Sequence, residues 1–457
     1  MSKLQKIILI IAGVLAVAVF IIAPVQLKIA NYYIEKANDN LDNHFYKSAF
    51  LNYEKASALL PDDEKLKIQL GKIDLLKNNL EEAEKEFKKA VKINHNSPKA
   101  SSFLVNTLLL EKNLKEAEKF AKEAPKKVLE DKDFQIQESR VCASLGKIDE
   151  ALSVLENNES QETLFYKAVF YIAKKDFTKA QDLIKNIISE NPELKDKLSQ
   201  IDNAFLKIKT SENETYKTVT FAEVLNEVDE PYLAERMLKE VLDKNPGYRD
   251  AYIFLGYSNY LKKDFAQGRD FINQAIGKDP SYGLSYYFLG LVDLEENKEV
   301  EAENNFRKAI NFGYKGKQIF KVLAELEKQK KDFSKAEENF KAALIFNQED
   351  QEILKEITEV LIAQKKLDEA EKIALNLSDN ELLGWIYLEK GDEEKALDFL
   401  KKAEEKNHFS AFVALKTGEL YKKQNKIDEA KNYFLKTQEY DLFGNWAKLA
   451  EEELKSN

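Results

Sequence analysis

Residues 283–314, GLSYYFLGLVDLEENKEVEAENNFRKAINFGY, decide the fold. Tyr286, Leu289, Gly290 and Asp293 recur at helical spacing in the first half, and Ala302, Phe306 and Ala309 in the second. Each half therefore reads as an amphipathic helix, with a short polar turn between them. Gly290 and Ala302 are small enough for the two backbones to approach, and Leu289 and Phe306 fill the space alongside. Such a pair leaves its outer face uncovered. Only a stack of pairs closes a continuous core, so copies are expected upstream and downstream.

The copies are regular. With the small residue of the second helix as marker, Ala49, Ala83, Ala117 and Ala151 lie 34 residues apart, as do Ala234, Gly268, Ala302, Ala336 and Ala370, and then Ala396 and Ala430. A bulky residue follows four positions later in most copies, such as Tyr53, Phe87, Leu238, Phe306, Phe340 and Phe434. Pro61, Pro192, Pro246 and Pro280 stand twelve residues after their markers, where each is expected to stop the second helix. In period and pattern the chain resembles the tetratricopeptide repeat family. The resemblance implies an all-α solenoid, a right-handed superhelix of helix-turn-helix units covering Ala30 to about Tyr440. It also implies that first helices line a concave surface that takes protein or peptide partners.

On that geometry Ile253, Tyr257 and Tyr260, followed by Tyr287 and Leu291, are the expected groove residues, with Phe165 and Val169 as a second candidate and Trp385 as a third. The alternative is that the chain's 20 tyrosines pack mainly against one another. Some members of the family hold a partner's terminal carboxylate with lysine, arginine and asparagine on consecutive first helices. Asn106 matches that pattern, whereas Gln137 and Ile68 depart from it, which disfavours such a receptor.

The spacing also sets the expected domains. Residues 1–6 form a short basic tail, 7–25 a transmembrane signal-anchor, 26–192 a first array, 193–214 an extra helix and linker, 215–440 a second array, and 441–457 a capping helix. The 54-residue interval from Ala180 to Ala234 is what requires the extra helix, with Leu194, Leu198, Ile201, Phe205 and Ile208 on one face. In the last helix Trp446, Leu449 and Ala450 are expected inward, with Glu451, Glu452 and Glu453 outward.

Residues 7–25, IILIIAGVLAVAVFIIAPV, carry no charge, and as a helix would rise about 28 Å, enough for a bilayer core. Lys3 and Lys6 precede them without an acidic residue, which favours a cytoplasmic amino terminus and extracytoplasmic repeats in a bacterial inner or plasma membrane. Signal-peptide cleavage near Ala16-Val17-Ala18 is the rival reading.

Composition narrows the function. A net charge of -10 without a basic stripe excludes a nucleic-acid backbone as partner. Cys142 is the only cysteine, and His44, His95 and His408 share no ligand spacing, so no metal or cofactor is expected. Asp149-Glu150, Asp368-Glu369 and Asp428-Glu429 recur just before marker alanines, where helix starts favour carboxylates. Nothing suggests an enzyme. The expected function is a membrane-anchored scaffold for assembly of a cell-envelope complex, binding proteins on its concave face and the bilayer through residues 7–25. A non-catalytic subunit or substrate-recruiting module of an envelope enzyme or secretion system, a secreted protein after cleavage, and self-association are the alternatives.

Overall fold

Among the described residues, eleven turns inside helix pairs are each closed by one residue in the left-handed region, five positions before its marker. These are Asn78, Lys112, Gly146, Lys175, Asp229, Lys263, Asn297, Lys331, Lys365, Gly391 and Asn425, with φ between 56° and 81°. The next residue donates its amide hydrogen back five positions, as Lys298 does to Asp293 O at 2.8 Å and Asp332 to Glu327 O at 2.9 Å. This satisfies a carbonyl that the ending helix leaves free and turns the chain sharply. At five of these turns, Asn113, Asp176, Asp264, Asp332 and Asp392 then cap the second helix with their side chains, Asp264 accepting from the Gln267 amide at 3.1 Å.

The computed structural model describes residues 24–42, 45–406, 410–441 and 444–455. Among these, every regular element is a helix. The chain begins with α1 (residues 24–42), α2 (Tyr46–Leu59), α3 (Glu64–Leu76), α4 (Leu80–Ile93), α5 (Pro98–Leu110), α6 (Leu114–Glu123), α7 (Lys126–Leu129), α8 (Lys132–Ser144) and α9 (Ile148–Val154). It continues with α10 (Gln161–Ala173), α11 (Phe177–Ile184), α12 (Pro192–Ile208), α13 (Glu214–Glu227), α14 (Pro231–Lys244), α15 (Arg249–Leu261), α16 (Phe265–Lys278), α17 (Gly283–Glu295) and α18 (Glu299–Asn311). The remainder is α19 (Lys317–Gln329), α20 (Phe333–Leu344), α21 (Gln351–Ala363), α22 (Leu367–Leu377), α23 (Asn380–Lys390), α24 (Glu393–Glu405), α25 (Ala411–Lys423), α26 (Ile427–Tyr440) and α27 (Asn445–Lys455).

The marker alanines are all 0% exposed, and their bulky partners are sealed with them: Tyr53 1%, Phe87 0%, Phe306 0%, Phe434 0%. A first-helix glycine often seats the ring. A Cβ on Gly290 would lie 2.5 Å from Phe306 Cε1, and one on Gly418 2.7 Å from Phe434 Cε1. Phe306 therefore fills space directly over Gly290 rather than beside it. Asp293 is buried in the same pair, and its carboxylate accepts from Arg269 at 2.6 Å and Asn305 at 2.7 Å.

Two compact units result, residues 96–353 and residues 1–95 with 354–457. They do not follow the two arms expected from the spacing. In residues 96–353 one apolar core runs from Ile136 to Val292 through Ile201, Ala204 and Phe205 of α12, so the inserted helix continues the core. Phe205 meets Phe221 of α13 edge-on at 4.8 Å. Pro192 also departs from expectation: α11 already ends at Ile184, and Pro192 is the first residue of α12, where its missing N–H costs nothing.

In the other unit, α1 and α2 pair through Ala37, Ala49 and Tyr53, whose hydroxyl donates to Asn38 Oδ1 at 2.6 Å. Phe45, just before α2, stacks on Tyr440 of α26 at 4.8 Å. α27 is rotated from its expected setting, with Ala447 and Ala450 buried while Trp446 and Leu449 are 37% and 45% exposed. The small pair permits closer contact with α26 than an indole would. The expected anchor, apart from Pro24 and Val25 in α1, lies outside the described residues. Among the described residues no helix is long and apolar enough to cross a membrane.

Candidate functional site: the first-helix face of residues 96–353

α15 and α17 carry the expected tyrosines. Tyr257 and Tyr260, three residues apart on α15, stack at 6.0 Å, and Tyr257 stacks on Phe288 of α17 at 4.6 Å. Tyr287 meets Tyr314 at 5.0 Å, and the Tyr260 hydroxyl donates to Glu295 at 3.3 Å. Tyr257, Tyr260, Tyr287 and Leu291 are half-buried, each with one side on the core and another on solvent. Burial, with Glu295 beside it, pushes the Tyr260 hydroxyl up to about 12; burial with Glu227 and Asp229 nearby raises Tyr257. These phenols remain proton donors at neutral pH.

Three expected groove residues do not reach the face. Ile253 is 0% exposed, Phe165 1% and Val169 0%. A first helix in a stack is covered by its own partner and by the next pair, which leaves a strip too narrow for every outward-reading position. Trp385 belongs to the other unit. It is half-buried, 5.3 Å from Phe412, which in turn meets Trp446 at 5.7 Å.

A second feature of the face is a cavity of about 690 Å³ walled by α5, α8, α10 and α12. Arg140 forms its floor. Its Nε donates to Glu230 at 3.0 Å, and its Nη1 to Asn106 at 3.3 Å and Gln137 at 3.2 Å, with the guanidinium 5.3 Å from the Tyr166 ring centroid. Glu230 is 3% exposed, and burial pushes its carboxyl up while Arg140 pulls it down. Lys197 pairs with Glu193 at 2.7 Å on the rim. Glu162 faces the same space, raised by burial and by Asp133. Asn106 and Gln137 thus converge, but the cation between them is already met by Glu230, leaving a floor that offers little to a free carboxylate.

Sequence reading passed over Arg140, although a signal was present. The chain has five arginines among 70 basic residues, all within 96–353, and each ties separate helices or turns together: Arg140 to Glu230, Arg236 to Gly146 O, Arg249 to Asp279, Arg269 to Asp293, and Arg307 to Glu327. A planar five-donor fork suits bridging of this kind, which explains why lysine is not used there.

The tetratricopeptide repeat family matches residues 231–283 in one of its forms and residues 65–96 and 380–405 in another. No curated protein matches the chain. Among solved structures, it is similar to the APC/C hetero-tetramer Cut9–Hcn1 at 14% identity, covering 93% of this chain and 96% of that one with a TM-score of 0.40. It is also similar to yeast Tom70 at 14% identity, with 94% and 96% covered and a TM-score of 0.34. For Pseudomonas aeruginosa pilF the identity is 19%, the coverage 47% and 99%, and the TM-score 0.36. The three matched segments, α3–α4, α14–α16 with the start of α17, and α23–α24, are tetratricopeptide repeats, and the helix pairs around them share their period and turn.

Proposed function

We propose that this chain is a non-catalytic protein-interaction scaffold whose first-helix face in residues 96–353 takes a segment of a partner polypeptide, with residues 7–25 as membrane anchor and the repeats extracytoplasmic. The observation that carries the reading is the row of half-buried tyrosines on α15 and α17. Rings that are pre-packed on one side lose little freedom on binding and offer both apolar surface and a hydroxyl donor. Assembly of a cell-envelope complex is the setting that an outward-facing anchored array fits.

A photo-crosslinking residue placed at position 257 is expected to capture a discrete partner in cells, while one at exposed Val300 on α18 captures none. Replacing Tyr257 and Tyr287 by alanine should weaken that partner's co-purification at least about tenfold while the helical signal is kept. Equal crosslinking at both positions, with undiminished co-purification of the double variant, would remove this face from the function. Digestion of the repeats by protease added to intact spheroplasts tests the orientation, and protection would place them in the cytoplasm.

A further inference from the structure

Resting on the scaffold reading, we infer that the segment taken by the face of α13, α15 and α17 is cationic, with a lysine or arginine side chain entering between the carboxylates of Glu223 and Glu227 and the rings of Tyr257 and Tyr314. Glu223 and Glu227 lie one turn apart on α13, so both carboxylates leave the same side of the helix. Neither has an ion-pair or hydrogen-bond partner among the described residues, in a chain whose carboxylates are otherwise widely paired with lysine. Lys207 of α12 is near enough for its charge to act on both, yet it contacts neither.

Desolvation raises both carboxyls above their usual range. Lys207 opposes this at both, while Glu227 and Asp250 add to the effect at Glu223 and Asp196 adds to it at Glu227. The surrounding rings feel the same charges: Glu227 acts on the Tyr257 hydroxyl, and Glu223 on those of Tyr282 and Tyr314. Partly desolvated negative charge beside aromatic rings favours a cation. The protein uses this combination internally a few residues away. Arg249 lies 3.3 Å over the Tyr282 ring, and its charge is met by Asp250 at 2.8 Å and Asp279 at 2.7 Å. Around Tyr257 and Tyr314 the carboxylates and rings are in place, and among the described residues no ion pair occupies either carboxylate, Lys207 acting on both only from a distance. An acidic segment, or a partner's terminal carboxylate, would instead meet like charge.

The test uses full-length protein in detergent and two labelled twelve-residue peptides, one alternating lysine with alanine and the other glutamate with alanine, followed by fluorescence anisotropy. The lysine peptide is expected to bind and the glutamate peptide not. The double change Glu223→Gln and Glu227→Gln should weaken the lysine peptide about tenfold. A matched neutralisation of exposed Glu299 and Glu301 on α18 should alter it less than about twofold, since attraction by net charge alone would respond to both pairs alike. Glu223 is half-buried and Glu227 exposed, so the glutamine pair is expected to fold, and circular dichroism checks this. Equal losses from the two pairs, or preference for the glutamate peptide, would overturn the inference. Loss of binding on Tyr257→Ala but not in the glutamine pair would overturn the charge argument and leave the scaffold reading standing. If Tyr257→Ala changes neither peptide binding nor partner crosslinking, the scaffold reading fails as well.

Discussion

Glu138 shows how a single position in the repeat can carry an internal tension. It lies on α8 with its carboxyl pushed up to about 7, first by burial and then by the charge of Glu150, and burial followed by both carboxylates raises the thiol of neighbouring Cys142. Between the ordinary carboxylate range and pH 7 the folded chain holds a proton there that the unfolded chain has released. Stability from this group is therefore greatest at the acid end of that window and falls as pH rises through about 7. Glu138→Gln cannot ionise. Its melting temperature should exceed that of the parent by roughly 1–3 °C at pH 8, with the difference closing near pH 5, as thermal unfolding at the two pH values will show. A difference that grew on acidification would mean that Glu138 is stabilised as its anion. The sequence gives no warning of this tension, because one glutamate among 80 acidic residues looks like any other until its neighbours are known.

At the scale of the element, the recurring left-handed residue is the device that fixes the repeat. Nine of the eleven described turns place lysine, asparagine or aspartate there and two place glycine, Gly146 and Gly391. Gly391 has φ of 78° and open space around the position of a Cβ, so a substitution tests the backbone alone. Gly391→Val should destabilise by roughly 1–2 kcal/mol, measured by urea denaturation, whereas asparagine should cost far less. A neutral valine would show that the turn can close in another conformation. The short polar turn and the marker alanines were legible because a 34-residue period repeats them. The strip left open on a first helix was not: Ile253 and Tyr257 occupy equivalent-looking outward positions, and only the neighbouring pair decides that one is sealed and the other half-exposed. Trp446 was misread for a related reason, since hydrophobicity marks a face as apolar without saying whether an indole or Ala447 and Ala450 can approach the helix beneath.

For the whole molecule, coupling between neighbours sets how damage spreads. Gly290→Ala would place a methyl group 2.5 Å from the Phe306 ring, an overpacking expected to cost about 1–3 kcal/mol. In an array of this kind the loss should appear as faster amide hydrogen exchange in α15 to α20, with α3 and α4 unchanged, because each repeat passes strain only to its neighbours. Uniform acceleration along the chain would indicate a single cooperative body instead. Phe45 and Tyr440, which stack on each other, come from opposite ends of synthesis. The two rings are 395 residues apart in the chain. On a ribosome adding about 5–20 residues per second, Phe45 waits roughly 20–80 s for its mate. During that time the first repeat has left the exit tunnel with its outer flank bare, so the chain's earliest-made helices are among the last to be finished, and a holding chaperone would find its opportunity there.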